Sequence, residues 1–368
     1  MKFVNIKNFN LLVAIAAFLI IVLPAMMFLN FNEEFAERKE RIGFIILGDI
    51  TIPGWNESHY KGIKAACEEF GAELLVRDKV KENSGQCTEA IKDLINNGAG
   101  MIFLASYSYS IEAQNIIGEY PHVAFATNSA EVHAKNMTAY FARMYQARYL
   151  SGALAGMRTK SNVIGYVAAM SNTEVNRGIN AFTLGVQRTN PQAKVVVMWT
   201  GAWQDEKIEA QHAERLIKEA GADVLTYHQD EDATAQVAEK FGADFIAYNA
   251  ILDTKSEHYL TSVICRWDLY YADMIQRYLK GEINSVKNHW LGIERGAVML
   301  SEFSPAVTEK MITRLNSLKQ ELINGNLIFA GEIYDNTGKI RCAAGEAISD
   351  DTLLEDINWL VKGVEVLE

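Results

Sequence analysis

Residues 96–106 read NNGAGMIFLAS, and residues 219–229 read EAGADVLTYHQ. Both stretches follow one plan: a polar segment, a glycine, a short apolar run, and polar residues where the run stops. A glycine after a periodic segment is typical of a helix end, and a short apolar run between turn residues is typical of a buried strand. The two stretches therefore predict helix–strand units in two separate parts of the chain.

The same alternation extends outward from both stretches. In the first block it predicts strands at 42–47, 72–77, 101–105 and 123–126 and helices at 60–70, 87–96 and 110–117. In the second block it predicts strands at 162–167, 195–199, 224–226 and 244–248 and helices at 143–157, 174–189, 207–220 and 233–241. The remainder predicts strands at 260–264 and 297–300, helices at 270–280, 306–324 and 353–362, and a hairpin at 333–340. This order indicates an α/β fold with parallel sheets covered by helices.

The length of 368 residues suits two lobes of ordinary size. We expect residues 41–157 with 263–300 to form one lobe, and residues 158–262 with 301–368 to form the other. Lys2 and Lys7 precede an apolar run at 11–29. This pattern predicts an export segment at 1–31, either a cleaved signal peptide or a retained signal anchor. The basic flank places the bulk of the protein in the periplasm or on the extracellular face, with residues 11–29 as the membrane contact if retained.

Composition and motifs exclude several classes of function. The formal net charge of −11, without a basic block, argues against nucleic-acid binding. The four cysteines form no CxxC pair and have no histidine at ligand spacing, so we predict no metal site. The cysteine spacing leaves both one disulfide and no disulfide as alternatives. Phosphate-binding glycine loops and the GxSxG and HExxH motifs are missing, so we predict no catalytic residue and no cofactor.

Ligands of parallel-sheet proteins bind beyond the carboxyl ends of the strands. The loops at those ends are rich in aromatic rings and neutral hydrogen-bonding groups, which favours a flat heteroaromatic ligand over a phosphate or a carboxylate. Sugars also bind on aromatic platforms, so the residue types leave that alternative open. The candidate ligand-binding residues are Asp49, Trp55, Asn56, Tyr107, Asn128, Trp203, His228, Asp230, Asn249 and Trp267. For His228 and Trp267, simple core packing is the alternative.

Five segments resemble the basic membrane protein family, whose members are similar to the purine nucleoside receptors of bacterial ABC transporters. They are GWNESHYKGI (54–63), YFARMYQARYLSGALAG (140–156), VNRGINAFTLGVQRTNPQAKV (175–195), WTGAWQDEKIEAQHAERLIKEAGADVLTYHQDE (199–231) and LTSVICRWDLYY (260–271). The resemblance implies a type I periplasmic-binding-protein fold, with two Rossmann-like lobes joined by a three-crossover hinge. It also implies that Trp55 with Asn56 and Trp203 contact the ligand base from opposite lobes, and that Asn128 lies near a base-contacting position.

Two departures from the family pattern concern the sugar of a nucleoside. The receptors carry an Asp and a Lys that reach the ribose, whereas this chain has Asn249 and Cys265 at the matching places. Other features resemble the branch that binds a free nucleobase such as adenine, in which a ring like Trp267 fills the space of the sugar. We therefore favour a nucleobase over a nucleoside.

The sequence predicts an extracytoplasmic solute-binding protein that delivers a purine to an ABC permease. Closure of the lobes would place the base between two rings, with hydrogen bonds from the edge residues Asn128, Tyr107, His228 and Asp230. One alternative is a membrane-anchored purine sensor that signals to a partner. A more remote alternative is a nucleoside-processing enzyme.

Overall fold

A computed structural model describes residues 39–128, 134–252, 256–283 and 288–368 of the chain. The predicted export segment at 1–31, with its apolar run at 11–29, lies outside these residues. Within the described ranges, no helix has both the length and the apolar character needed to cross a membrane.

Strands and helices alternate along most of the described chain. In chain order they are β1 (Arg41–Ile45), α1 (Trp55–Phe70), β2 (Glu73–Arg77), α2 (Gln86–Asn96), β3 (Met101–Leu104), α3 (Tyr109–Glu112), α4 (Gln114–Glu119), β4 (Ala124–Thr127), β5 (Met137–Ala142), α5 (Met144–Arg158), β6 (Val163–Ala168), α6 (Thr173–Thr189), β7 (Lys194–Trp199), α7 (Glu206–Lys218), β8 (Val224–His228), α8 (Ala233–Phe241), β9 (Asp244–Tyr248), β10 (Tyr259–Cys265), α9 (Trp267–Leu279), β11 (Asn288–Leu291), β12 (Val298–Leu300), α10 (Glu309–Ile323), β13 (Ile333–Tyr334), β14 (Ile340–Cys342), α11 (Asp350–Glu355) and β15 (Val364–Val366).

The first lobe is built on a parallel sheet with the order β11-β5-β4-β3-β1-β2. Every residue of β3 and β4 is buried, as expected for strands covered by helices on both faces. Helix α9 returns to this lobe from late in the chain and packs against α1. The first lobe therefore combines an early block of sequence with a late one.

The second lobe is built on a sheet with the order β12-β10-β9-β8-β6-β7-β15. Its pairs are parallel except the edge pair β10–β12, which is antiparallel. Helices α5 and α6 cross this sheet in close contact. A Cβ atom added to Gly152 would lie 1.9 Å from the carbonyl oxygen of Phe182, so the two backbones touch where only glycine fits. The predicted α/β fold with two parallel-sheet lobes is confirmed.

Three connections pass between the sheets. They follow β5, which leads into α5 of the second lobe; β10, which leads into α9 of the first lobe; and β11, which leads into β12 of the second lobe. A chain that crosses three times cannot be cut into two continuous pieces, so closure must bend all three connections together.

The structure divides the chain differently from the predicted boundaries. Helix α5, predicted in the first lobe, packs on α6 of the second lobe, and β10 and β12 belong to the second sheet. The predicted helix at 353–362 is also corrected, because helix α11 ends at Glu355 and β15 pairs with β7. Strands β5 and β11 were not predicted. Spatial pairing, which a periodicity pattern does not record, decides these assignments.

Candidate functional site

A cavity lies between the carboxyl ends of the strands of both sheets, where the two lobes meet. The empty space among its lining atoms is about 350 Å³, part of which is open to solvent. Both lobes contribute to its wall, which is formed by Trp55, Ser106, Tyr107, Asn128, Glu174, Trp203, His228, Asp230 and Tyr248.

Trp55 is the first residue of α1 and forms the aromatic wall of the first lobe. Its indole Nε1 donates a hydrogen bond to the carbonyl of Ala105 at 3.4 Å. Its ring lies 4.2 Å from the ring of His59 and 5.4 Å from that of Trp267, measured between centroids. Because the ring is packed from behind and bonded at its edge, it presents one fixed face to the cavity.

The polar groups of the first lobe follow β3 and β4. The hydroxyl of Ser106 donates a 2.7 Å hydrogen bond to Glu82, which places a carboxylate just behind the wall. Asn128 is buried, and its backbone N–H donates to the carbonyl of Leu104 at 3.0 Å. Its side-chain nitrogen Nδ2 has no partner among the described residues. A buried donor left open in this way marks a place where a ligand can accept a hydrogen bond.

Trp203 and Asp230 form the opposite wall and hold one another in place. The backbone N–H of Asp230 donates to the carbonyl of Trp203 at 3.0 Å, and Gln204 reaches the Asp230 carboxyl at 3.4 Å. Burial raises the pKa of Asp230 well above its ordinary value. The negative charges of three nearby glutamates act in the same direction: Glu82, Glu209 and Glu231. The site thus favours the neutral acid until a ligand supplies a donor.

His228 connects two further lining residues. Its Nε2 lies 3.0 Å from the hydroxyl of Tyr248 and 3.5 Å from a carboxylate oxygen of Glu174. Burial lowers the pKa of His228, and the hydrogen bond with Glu174 opposes this only in part. The guanidinium of Arg148, itself buried, lies 4.0 Å from the ring centre of Tyr248. This cation–π contact supports the Tyr248 ring.

The lobes are in close contact around the cavity. A Cβ atom added to Gly54 would lie 2.2 Å from the carbonyl oxygen of Asp230, and Gly54 has a φ of +145°. Asn56 accepts a hydrogen bond from the N–H of Gly48 at 3.0 Å, and its amide acts across the cleft to lower the pKa of Asp230 against the raising effect of burial. The structure therefore represents a closed arrangement that only a glycine at position 54 permits.

The cavity wall holds several hydrogen-bond acceptors, and the part of the chain that the structure describes contributes no lysine or arginine to it. Two carboxyl groups, Glu174 and Asp230, line it, and Glu82 lies just behind. Such a wall suits a ligand that carries N–H donors and repels phosphates and carboxylates. Among the described residues, no group of three or more His, Cys, Asp or Glu side chains is arranged to hold a metal ion.

The structure brings together six of the ten predicted site residues, all of which line the cavity: Trp55, Tyr107, Asn128, Trp203, His228 and Asp230. A seventh, Asn56, is buried next to Trp55 and affects the pKa of Asp230 in the other lobe.

Three predicted residues lie elsewhere. Asp49 is turned toward its own loop, where it accepts from Thr51 at 2.6 Å and pairs with Lys79 at 2.8 Å. Asn249 is buried after β9 with a φ of 54° and is not part of the wall. Trp267 is buried behind Trp55, stacked on His59 with 3.8 Å between centroids, in agreement with the packing alternative.

Three lining residues were not predicted: Ser106, Glu174 and Tyr248. Glu174 is the second residue of α6, the helix that follows β6. Tyr248 is the last residue of β9. Listing the residues at and just beyond the end of every strand would have found all three.

Two parallel-sheet lobes that meet at a cavity at their strand ends have the type I fold that solute-binding proteins of ABC transporter systems also show. A solute-binding protein of an ABC transporter system from Aeropyrum pernix K1 superimposes with a TM-score of 0.66 at 16% identity, covering 85% of this chain and 95% of that one. The transcriptional activator of the comK gene from Bacillus halodurans also gives a TM-score of 0.66, at 22% identity over 77% of this chain and 98% of that one. At these identities the likeness concerns the fold.

The chain belongs to the Bmp family, because the family model for PnrA-like ABC transporter substrate-binding proteins matches residues 39–333. A purine-binding protein of Brucella abortus is 32% identical over 336 residues, which is 90% of this chain and 94% of that protein. A putative ABC transporter glucose-binding protein of Haloferax volcanii is 29% identical over 325 residues, 88% of this chain and 79% of that protein. The predicted family is confirmed, and it is one of binding proteins and not of enzymes.

Proposed function

We propose that this substrate-binding protein captures a free purine base, with adenine as the favoured ligand, and delivers it to an ABC permease. The observation that carries the proposal is the position of Trp55 and Trp203 in opposite walls of a small cavity that two carboxyl groups also line. Two rings from opposite lobes can stack on both faces of a flat base only when the lobes close. Closure and ligand recognition are then one event.

The edge groups favour a base that carries an exocyclic amine. Glu174 and Asp230 accept hydrogen bonds when ionised, and the N–H groups of an aminopurine are matching donors. A carboxyl group left without a hydrogen-bond partner in a closed cavity costs free energy, so a ligand lacking those donors is rejected. The Brucella abortus relative is a purine-binding protein by name, which supports the same ligand class.

The free base is favoured over the nucleoside because neither position that would carry a ribose anchor reaches the cavity. Asn249 and Cys265 replace the family's acidic and basic anchors, and neither is part of the wall.

The first test is mass spectrometry of the small molecules released when the purified full-length protein, extracted in detergent, is denatured. A free purine base supports the proposal, and a nucleoside corrects the choice of base over nucleoside. A sugar would match the Haloferax volcanii relative and overturn the ligand class.

Calorimetric titration then measures adenine, adenosine and glucose against the wild type and Trp203→Ala. Loss of one stacking ring costs roughly 1–3 kcal/mol, on the order of 10- to 100-fold in Kd. Trp199→Ala is the matched control, because Trp199 ends β7 four residues earlier and does not line the cavity. Equal purine affinity in Trp203→Ala and the wild type would contradict the proposal.

The family acts outside the cytoplasm, and we infer that residues 11–29 direct this chain there. The intact mass of the mature protein distinguishes a cleaved signal peptide from a retained anchor. Purine uptake by cells lacking the protein distinguishes transport from sensing: uptake is lost if the protein feeds a permease and is unchanged if it only signals.

A further inference from the structure

We propose that Glu82, which lies just behind the cavity wall, fixes the hydroxyl of Ser106 so that Ser106 can only accept a hydrogen bond from the ligand. Glu82 is then a positioning residue. Together the two residues select a base with an exocyclic amine over a base with a carbonyl oxygen at the same place. The proposal rests on the proposed function, in which a purine base fills the cavity.

Glu82 accepts two hydrogen bonds from the segment that follows β3. Its Oε1 accepts from the hydroxyl of Ser106 at 2.7 Å and from the backbone N–H of Ser108 at 2.6 Å. Ser106 is buried and is part of the cavity wall. One carboxylate oxygen therefore connects a loop behind the wall to a side chain that faces the ligand space.

The loop that carries Glu82 comprises residues 78–85 and follows β2 at the edge of the first sheet. It reaches past β1 to the end of β3, where Ser106 lies. The N–H of Val80 donates to the carbonyl of Ile46 at 3.2 Å, and the carbonyl of Val80 accepts from the hydroxyl of Tyr109. Because the chain is anchored two residues before Glu82, its carboxylate is held against Ser106.

The hydrogen bond from Ser108 determines which atom donates between Ser106 and Glu82. A backbone N–H can only donate, so Oε1 of Glu82 accepts it and carries no proton. The hydroxyl of Ser106 must then supply the proton of the 2.7 Å contact. A serine hydroxyl has one O–H and two lone pairs, so the Ser106 oxygen has only lone pairs left for the ligand.

Acceptors then line the cavity from both lobes. Ser106 offers an oxygen in the first lobe, and Glu174 and Asp230 offer carboxyl groups in the second. Burial and then the charge of Glu82 raise the pKa of Asp230, so the two walls are within electrostatic reach of one another. An exocyclic amine has two N–H groups on one nitrogen and can donate to both walls at once. A carbonyl oxygen in its place would face the lone pairs of Ser106, and this is the basis of the discrimination.

The test compares adenine with hypoxanthine, which carries a carbonyl oxygen in place of the exocyclic amine, by calorimetric titration of the full-length protein. Glu82→Ala frees the Ser106 hydroxyl to turn and donate to that oxygen. We expect the ratio of the hypoxanthine Kd to the adenine Kd to fall about 10-fold in Glu82→Ala. In the Ser106→Ala background, Glu82→Ala should change this ratio by less than about twofold. An equal effect in both backgrounds overturns the proposal, because Glu82 would then act without Ser106.

Glu82→Gln separates the position of the accepting oxygen from its charge. The N–H of Ser108 requires an acceptor, so the amide oxygen of the glutamine takes the place of Oε1 and Ser106 still donates to it. We expect the hypoxanthine-to-adenine Kd ratio of Glu82→Gln to stay within about twofold of the wild-type ratio. A ratio that falls as far as in Glu82→Ala would show that charge alone sets the preference, and would overturn the positioning role.

Glu112→Ala is the matched control for loosening of the loop. The carboxylate of Glu112 accepts from the N–H of Asn83 at 2.7 Å, in the same loop as Glu82. This variant should lower the Tm and keep the wild-type ratio of the two Kd values. A fall in the ratio equal to that of Glu82→Ala would mean that order of the loop, and not the Ser106 hydroxyl, sets the preference.

A ligand-free measurement separates failure of this proposal from failure of the proposed function. The backbone amide signal of Ser108 in a nitrogen–proton correlation spectrum is identified by its loss in Ser108→Ala. We expect Glu82→Ala to move the proton of that signal upfield, because its hydrogen bond to a carboxylate is lost, and Glu112→Ala to leave it in place. An unmoved signal in Glu82→Ala overturns the positioning role whether or not purines bind. A moved signal without binding of adenine or hypoxanthine to the wild type overturns the ligand class of the proposed function.

Discussion

The two walls of the cavity are built from different chemistry. The first lobe presents an aromatic ring and a neutral amide, and behind them lies a packed aromatic cluster that contains His59 and Trp267. The second lobe presents ionisable groups, Glu174 and Asp230, beside its own ring. One wall is rigid and uncharged, and the other contains Asp230, whose pKa is raised by burial.

This difference indicates how the two lobes divide the task of recognition. A rigid aromatic wall selects flat shape without regard to charge, because stacking needs only a fixed face. A wall that contains the buried carboxyl group of Asp230 selects for donors, because this acid must be protonated or hydrogen bonded when the cleft closes. Closure against the wrong ligand would leave the second wall unsatisfied.

The largest effect is expected where the two walls touch. Gly54→Ala places a Cβ atom 2.2 Å from the Asp230 carbonyl oxygen and at a φ that L-residues rarely adopt. We expect a cost on the order of 3 kcal/mol for the closed arrangement, or about 100-fold in purine Kd by calorimetry. Gly71→Ala is the control, since Gly71 has a φ of +66° with nothing within 4 Å. Gly71→Ala should destabilise the first lobe without changing the purine Kd. If Gly54→Ala and the wild type have a similar purine Kd, closure does not need the contact between Gly54 and Asp230.

The next effect concerns the ionisable wall. The folded protein holds the proton of Asp230 more tightly than the unfolded chain does. The stability from that proton is complete below a pH near 3.8, the ordinary pKa, and is lost as the pH rises through the raised pKa. Asp230→Asn should therefore raise the Tm of the ligand-free protein at pH 8 by roughly 2–4 °C and flatten its decline with pH.

Asp223 is the control for this effect because its pKa moves the other way. Burial opposes the shift, but hydrogen bonds from Thr159, Lys160 and Ser161 lower the pKa of Asp223. Its stabilising contribution is present above the ordinary pKa and is lost as the pH falls. Asp223→Asn should therefore lower the Tm at pH 8. A fall in Tm for both variants would mean that Asp230 is ionised and paired in the closed protein.

A smaller effect is expected from the support behind the rigid wall. Trp267 contacts the rings of Trp55 and His59 and is not part of the cavity surface. Trp267→Phe should raise the purine Kd about threefold, because it loosens one aromatic contact worth roughly 0.5–1.5 kcal/mol. A loss of purine affinity as large as that expected for Trp203→Ala would mean that Trp267 contacts the ligand, as the sequence predicts.

The smallest effect is expected at Asp49. This residue forms an ion pair with Lys79 at the surface, and its carboxylate accepts a hydrogen bond from the N–H of Thr51 in its own loop. Asp49→Asn should change the purine Kd by less than about twofold, since exposed ion pairs contribute little. A change above tenfold in the titration would show that the loop rearranges to bring Asp49 into the cavity.

The sequence predicted the local elements well because their signals are local. The apolar runs of β3 and β9 and the glycine after α1 fall within one or two residues of the observed bounds. It missed β5, whose residues are all buried but whose run MTAYFA lacks a clear boundary from the segment before it. It also missed β15, because a short terminal strand becomes a strand only through its pairing with β7.

By itself, the sequence determined the alternation of strands and helices, the family, and six of the residues that line the cavity. Each of these is visible in residue types and their order, since the carboxyl end of a strand is a position along the chain. Only the tertiary structure decided that Trp267 lies behind Trp55, that Asp49 turns away, and that Glu174 and Tyr248 meet at His228. The reason is that these contacts depend on which elements pack together, and the chain passes between the lobes three times. The contacting residues are far apart in the sequence, so no local pattern of residue types indicates that they meet.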